Sequence, residues 1–235
     1  MKILAIDSSG QVASVAIVTD EAVLAEYSVN YKKTHSQTLL PMVEEVMKMT
    51  GTEGQDLDAV AVTNGPGSYT GLRIGSSTVK GLAMVWNKPV VPVPTVDTLA
   101  VNYPDYDGLI CPLMDARRGQ VYTGIYRFTD GKLVAVVPQV CTMLSDITKQ
   151  LNALGEKVLF LGDGVPVHRA AIAEQVKVPY TLAPMHRLMQ SAASLGFLAC
   201  EYLREGRTVS ATELVPEYLR LSQAEREREE RLENR

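Results

Sequence analysis

The chain has 235 residues, of which 46% are hydrophobic and 21% charged, and this composition predicts a globular protein with a substantial buried core. The formal net charge is −4 and Lys and Arg form no long block, so the sequence lacks the basic footprint of an autonomous nucleic-acid-binding protein. No apolar run approaches the roughly 20 residues of a membrane span, and no signal peptide is recognisable, so we expect a cytoplasmic location without membrane attachment.

The first part of the chain predicts three strands followed by alternating helices and strands. The apolar segment KILAID ends in the turn DSSG, which is typical of a buried strand entering a loop, and two further short strands follow. A helix over 36–50 precedes a strand that runs into the glycine-rich segment NGPGSYTG, and a second helix covers 72–87. The segment VVPVPT then predicts another strand, with a short helix over 95–102 after it.

The second part repeats this order after a marked break. Residues 103–108 read YPDYDG, a combination of Pro, Gly and Asp that predicts a boundary between two subdomains. Three more strands follow, and then a helix over 142–154, the strand VLFL and helices near 166–176 and 187–205. The sequence therefore predicts a duplicated α/β fold.

The predicted division of the chain follows from that break and from the charge at its end. We expect subdomains at 1–103 and 104–215 and a terminal segment at 216–235. The terminal segment contains the run AEREREERLENR, which favours a solvated helix or a frayed tail.

Two aspartate turns and one glycine-rich loop are candidate phosphate-binding elements. Asp7 and Ser8 open the first turn, Asp115 opens a similar turn in the second part, and Gly65 and Gly67 lie in the loop before the second helix. Such turns can direct backbone N–H groups at a phosphate, and an aspartate can hold a hydrated magnesium ion. Asp and Gly are also ordinary turn formers, and neither a P-loop nor a dinucleotide fingerprint is complete, so both interpretations stay open.

The first two long helices carry more apolar and small residues than a single contact needs. The first helix has a broad apolar face, and the second keeps part of its surface small. These residues either cover the core or bind a partner. The predicted partner interface comprises Leu39, Leu40, Met42, Val43, Val46 and Met47 on the first helix and Gly71, Leu72, Gly75, Val79 and Met84 on the second.

The cysteines and histidines favour neither a disulfide framework nor a metal site. Cys111, Cys141 and Cys200 are widely spaced and form no CxxC pattern, so we expect buried thiols. The three histidines are all more than four residues apart, so no helix presents the histidine pair of a zinc hydrolase. The nucleophile motif GxSxG is also missing from the sequence.

Six motifs in order along the chain resemble the TsaB (YeaZ) family. They are AIDSSG, HSQTLLP, TNGPGSYTGLRIG, MDARRGQVY, FLGDG and VPEYLRLSQAE. The resemblance implies an actin-like, sugar-kinase-like (ribonuclease H-like) fold of two α/β subdomains. It also implies a more distant relationship to TsaD, the catalytic transferase subunit of the same fold, in which two histidines hold a metal. Thr95 and Leu99 occupy the matching positions here, and neither side chain replaces an imidazole.

The resemblance implies the role of a non-catalytic partner subunit. Members of the family pair with TsaD through their first two helices, and the ATPase TsaE joins the assembly that installs threonylcarbamoyl on the tRNA adenosine next to the anticodon. We accordingly expect no catalytic residue, metal or cofactor in this chain, use of ATP through the partner subunits, and a homodimer when the partner is absent. Lys32, Lys33, Arg117 and Arg118 either contact tRNA within the complex or are solvated surface residues.

Two other functions are compatible with parts of the sequence. An ATP-dependent small-molecule phosphotransferase of the same superfamily would use Asp7 and the loop 65–71 for phosphate and magnesium, and fold analogy alone supports it. A peptidase is suggested by the older glycoprotease label of the wider family, but the sequence offers no constellation of nucleophile or metal ligands for it.

Overall fold

The computed structural model of the chain describes residues 1–31 and 34–220. Lys32, Lys33 and the charged run at the end of the predicted terminal segment lie outside the described residues. Among the helices that are described, none combines the length and the hydropathy needed to cross a membrane.

Within residues 1–31 and 34–220, ten strands form two five-stranded sheets of identical topology. The first sheet contains β1 (Lys2–Asp7), β2 (Ala13–Thr19), β3 (Val23–Val29), β4 (Ala59–Gly65) and β5 (Val90–Pro94). The second contains β6 (Leu109–Asp115), β7 (Gln120–Thr129), β8 (Lys132–Met143), β9 (Val158–Leu161) and β10 (Tyr180–Leu182). In both sheets the first three strands are antiparallel, and the last two join the first in parallel, so the strand order is 3-2-1-4-5 within each. The predicted duplicated α/β fold is confirmed.

Six α-helices connect or cover these strands in the described part of the chain. They are α1 (His35–Thr50), α2 (Tyr69–Trp86), α3 (Thr95–Ala100), α4 (Leu144–Leu154), α5 (Gly164–Gln175) and α6 (Ala192–Arg204). The start of α2 lies three residues before the predicted one, because the Ser68 side chain accepts a hydrogen bond from Gly71 N and caps the helix. The start of α6 lies later than predicted, after an extended Ser191 that caps it in the same way. The sequence pattern missed the short strand β10.

Strands β1, β2 and β4 of the first sheet bury both of their faces, which explains their continuous apolar sequences, whereas the edge strand β3 is mostly exposed. One face presents large residues such as Leu4, Ile6 and Ile17 to α1 and α2. The other presents smaller residues such as Ala5 and Ala16 to α6. The alternation of large and small residues lets α6 approach this sheet closely.

The packing of two helices differs from the predicted division of the chain. Although α6 lies within the predicted second subdomain, it packs on the first sheet, where Val90 also forms a β-bridge with Val209. Helix α3 comes from the predicted first subdomain but packs through Val96 and Leu99 into the apolar cluster on the second sheet. The two halves therefore exchange one helix each, and a cut at 103–108 separates the strands but not the cores.

Candidate functional site

The loop after β1 lies directly on the first turns of α2. Ser68 N donates a hydrogen bond of 2.7 Å to Ser9 O, and Ser8 Oγ donates one of 2.9 Å to Gly71 O. A Cβ atom added at Gly71 would lie 2.1 Å from Ser8 O, and one at Gly67 would lie 2.3 Å from Ser9 O. The glycines of this segment are thus required by the close approach of the chain's own loop.

The buried carboxylate of Asp7 stabilises that loop through hydrogen bonds. Its Oδ1 accepts hydrogen bonds from Ser9 N at 2.9 Å, Ser9 Oγ at 2.7 Å and Thr63 Oγ1 at 3.0 Å. The residue is completely buried, and burial raises the pKa of its carboxyl group although these hydrogen bonds oppose the shift. Asp7 therefore fixes the turn in this arrangement and does not face a solvent-filled space.

A cleft of about 750 Å³ separates the loop of the first half from the aspartate turn of the second. Its walls include Ser9, Gly67, Asp115 and Asp163. Of the predicted phosphate-binding residues, Gly67 and Asp115 line this cleft. Asp7, Ser8 and Gly65 are buried behind its wall.

The second half contributes two half-buried carboxylates, Asp115 and Asp163, to the cleft. Asp115 is half-buried, and its Oδ1 accepts a hydrogen bond from Arg117 N at 2.9 Å and lies 3.4 Å from His168 Nε2. Burial, reinforced by the charge of Asp115, raises the pKa of Asp163 to about 6. The sequence pattern missed Asp163 as a cleft residue, although the motif FLGDG contains it, and it missed His168 as a neighbour of Asp115.

Arg117 and Arg118 form the exposed tip of the turn between β6 and β7. Both residues have left-handed backbone conformations, with φ of 64° and 55°. Two successive non-glycine residues in this region are uncommon and cost conformational free energy. The turn places both side chains at the rim of the cleft.

The structure corrects the predicted partner face on α1 and α2. Most of the predicted residues are buried inside the chain because they pack on the first sheet, on the loop after β1 or on each other. The buried ones are Leu39, Met42, Val43, Val46, Gly71, Leu72, Gly75 and Val79. Met47 is half-buried and packs against the same core.

A narrower apolar surface remains exposed on the two helices. Leu40 is 55% exposed and Met84 is 64% exposed. Met49 (74% exposed) extends the apolar face that the pattern indicated on α1, while Val85 (78% exposed) was not recognised from the sequence. Gly81 lies on the outside of α2, where an added Cβ would meet no atom within 4 Å. We call Leu40, Met49, Gly81, Met84 and Val85 the outer helix surface.

The positions that match the metal ligands of the catalytic relative lie on α3. Thr95 and Leu99 are both fully buried there. Across the residues that the structure describes, no group of three or more His, Cys, Asp and Glu side chains is arranged to hold a metal ion.

Known proteins resemble this chain over most of its length. A family model described as TsaD, tRNA N6-adenosine threonylcarbamoyltransferase, matches residues 22–228. The tRNA threonylcarbamoyladenosine biosynthesis protein TsaB of Bacillus subtilis (strain 168) is 38% identical over 225 residues, which are 96% of this chain and 96% of the relative. The TsaB protein of Escherichia coli (strain K12) is 30% identical and covers 94% of this chain and 95% of its own length. The chain belongs to the TsaB family.

One individual transferase aligns with this TsaB family member over a much shorter segment than the transferase-described family model does. The tRNA N6-adenosine threonylcarbamoyltransferase of Burkholderia cenocepacia (strain HI2424) is 46% identical over only 59 residues, which are 25% of this chain and 17% of the transferase. The shared part is therefore a segment of the common fold.

Solved structures support the same assignment. A Pseudomonas aeruginosa protein described as similar to peptidase YEAZ superposes with a TM-score of 0.81 at 27% identity, covering 93% of this chain and 99% of its own. YeaZ from the same organism gives a TM-score of 0.77 at 26% identity. With the duplicated strand order, these likenesses confirm the actin-like fold that the resemblance implied for this TsaB family member.

Proposed function

We propose that this protein is a non-catalytic subunit that pairs with a TsaD-like transferase and activates it in N6-threonylcarbamoylation of the tRNA adenosine next to the anticodon. The observation that carries the proposal is the extent of its similarities. The TsaB protein of Bacillus subtilis aligns over 96% of this chain, whereas the transferase of Burkholderia cenocepacia aligns over 25%, although the family model described as the transferase matches residues 22–228. The buried Thr95 and Leu99, which replace the histidine ligands, support a role without catalysis.

The outer helix surface is the proposed site of contact with the transferase subunit. Both helices start at the same edge of the sheet, because His35 Nε2 lies 2.9 Å from Gly10 O and Ser68 N donates to Ser9 O. Their exposed apolar side chains therefore lie on two neighbouring parallel helices. Gly81 on α2 is exposed and has open space at its Cβ position, so the backbone of a partner helix can approach α2 closely there. When the partner is absent, the same surface would pair two copies of this chain.

The proposed assembly also contains an ATPase and acts on tRNA. A TsaE-like ATPase joins the assembly, and ATP is used through the partner subunits. The tRNA is reached through the complex, with Arg117 and Arg118 at the rim of the cleft as candidate contacts. The complex acts in the cytoplasm.

Reconstitution tests the function directly. Purified TsaD-like and TsaE-like subunits, tRNA and the threonylcarbamoyl adenylate are combined with and without this protein, and tRNA modification is measured. We expect modification to depend strongly on this protein and the protein alone to give none. Modification that is independent of this chain would contradict the proposal.

Matched glutamate substitutions test the proposed contact. Leu40→Glu and Met84→Glu should each reduce co-purification with the transferase subunit at least tenfold, because each places a charge in an apolar contact. The controls Leu24→Glu and Met185→Glu alter side chains that are 45% and 90% exposed on other surfaces, and should retain binding. Equal loss of binding in both pairs would place the contact elsewhere.

An ATP-dependent phosphotransferase is the alternative function, and an assay of the isolated protein with ATP tests it. It requires ATP hydrolysis or transfer by the isolated protein. The complete burial of Asp7 disfavours it, because that carboxylate cannot reach a metal–nucleotide complex in this arrangement.

A further inference from the structure

The motif VPEYLR lies across the mouth of the cleft, far in sequence from the elements it touches. We call residues 217–220 the strap. On the side of the first half, Glu217 N donates a hydrogen bond of 2.7 Å to Asn64 O. The Tyr218 ring lies 5.0 Å from the Tyr69 ring at the start of α2, and Arg73 Nε donates to Tyr218 Oη at 3.3 Å. The strap is thus attached to the helix that carries part of the outer helix surface.

The same four residues also reach the second half. Arg220 Nη1 donates a hydrogen bond to Ala116 O in the turn between β6 and β7. Gln139 Nε2 on β8 donates a weaker one, 3.4 Å long, to Glu217 Oε2. The strap therefore bridges the two walls of the cleft and itself forms part of its lining.

The first half is shaped to accept the strap backbone. Gly65 has a φ of +117°, and a Cβ atom at this position would lie 2.1 Å from Glu217 O. Only glycine combines this conformation with so close an approach. The strap is thus a specifically seated segment.

Other contacts already keep the halves together. Helices α3 and α6 each pack on the sheet of the opposite half, so the strap is not needed to join the two sheets. The contacts described above for residues 217–220 are single hydrogen bonds and one ring pair, and Tyr218 is 39% exposed while Glu217 is also exposed. Segments held in this way open at much lower free energy than buried strands.

From these contacts we propose that the strap is a releasable latch that closes the cleft between the two halves. When it is docked, the turn at Ala116 is held towards the start of α2. When it is released, the cleft widens and its walls become accessible, while α1, α2 and both cores keep their structure. This inference is independent of the proposed function, because the outer helix surface includes no strap residue.

Amide hydrogen exchange of the full-length protein tests whether the latch opens. The Glu217 amide should exchange at least tenfold faster than the amides in the middle of β4, because it is released by local opening. Tyr218→Ala and Arg220→Ala should each accelerate it further, roughly five- to tenfold, and leave the β4 amides unchanged. Tyr27→Ala, which removes a tyrosine of similar exposure (44%) from β3, is the matched control and should have no effect on Glu217. If Glu217 exchanges only together with β4, the strap is a fixed part of the fold and the proposal is wrong.

A distance measurement across the cleft tests whether the latch controls its width. Spin labels are attached after Thr70→Cys and Arg118→Cys in a Cys141→Ser background, since the other two cysteines are buried. We expect one narrow distance distribution with the intact strap, and a longer or broader one after Tyr218→Ala or Arg220→Ala. An unchanged distribution would show that the strap does not set the cleft width and would overturn the proposal. Co-purification with the transferase subunit should be retained in these variants, so loss of the latch and loss of the partner contact give different results.

Discussion

The two halves of the molecule have the same strand order, yet the aspartate at the end of the first strand has a different environment in each. Asp7 is fully buried and accepts three hydrogen bonds, while Asp115 is half-buried at the cleft and accepts one from the backbone. The difference arises from the neighbouring elements, since glycines let α2 close over the first turn. A duplicated motif therefore does not keep a duplicated role, because packing decides which copy reaches solvent.

The largest change in the free energy of unfolding is expected from a substitution where α2 covers the turn after β1. Gly71→Ala should lower the free energy of unfolding by about 3 kcal/mol or more, because the new Cβ meets the Ser8 backbone oxygen, which cannot easily move. Gly81→Ala is the control on the same helix, because a Cβ at this position meets no other atom. It should raise the free energy of unfolding by about 0.5–1 kcal/mol through helix propensity. Urea denaturation measures both, and equal effects of the two substitutions would contradict the close packing of the first turn.

Replacing the aspartates of the two halves is expected to have the next largest effect on the free energy of unfolding. Asp7→Ala leaves the donors of Ser9 and Thr63 without their buried acceptor and should cost roughly 2–3 kcal/mol of stability. Asp115→Ala removes one hydrogen bond at a half-buried site and should cost about 1 kcal/mol. Denaturation at neutral pH distinguishes them. A larger loss at Asp115 would reverse the assigned difference between the halves.

The smallest effect concerns the pH dependence at the cleft. The pKa of Asp163 is raised from 3.8 to about 6 in the folded protein, so folding is favoured when the carboxyl is protonated, and that contribution is lost as the pH rises towards and past 6. Asp163→Asn removes this dependence. The variant should therefore gain about 1–1.5 kcal/mol relative to the unaltered protein between pH 5 and pH 8. A pH-independent difference in the free energy of unfolding would show that Asp163 ionises normally.

Prediction from sequence succeeded for local features and failed for exposure. The helical period on α1 correctly indicated an apolar face, but period alone does not state what covers it. Val43 packs in the core at 4% exposure, while Leu40, three residues earlier, is 55% exposed. A glutamate at Val43 would therefore unfold the protein and not report on partner binding. The small residues of α2 were likewise recognised, but Gly71 and Gly75 pack against the chain's own loop, whereas Gly81 faces outwards.

The sequence by itself determined the two repeats of strands and helices, the family and the absence of closely spaced histidine pairs, because these depend on local periodicity and on residue identity. The tertiary structure decided the exchange of α3 and α6, the burial of Asp7 and the path of the strap across the cleft. Each of these depends on contacts between distant segments, such as Glu217 with Asn64 and Ser8 with Gly71. Such contacts depend on the shape and chemistry of two separate surfaces, which the pattern of either segment alone does not contain.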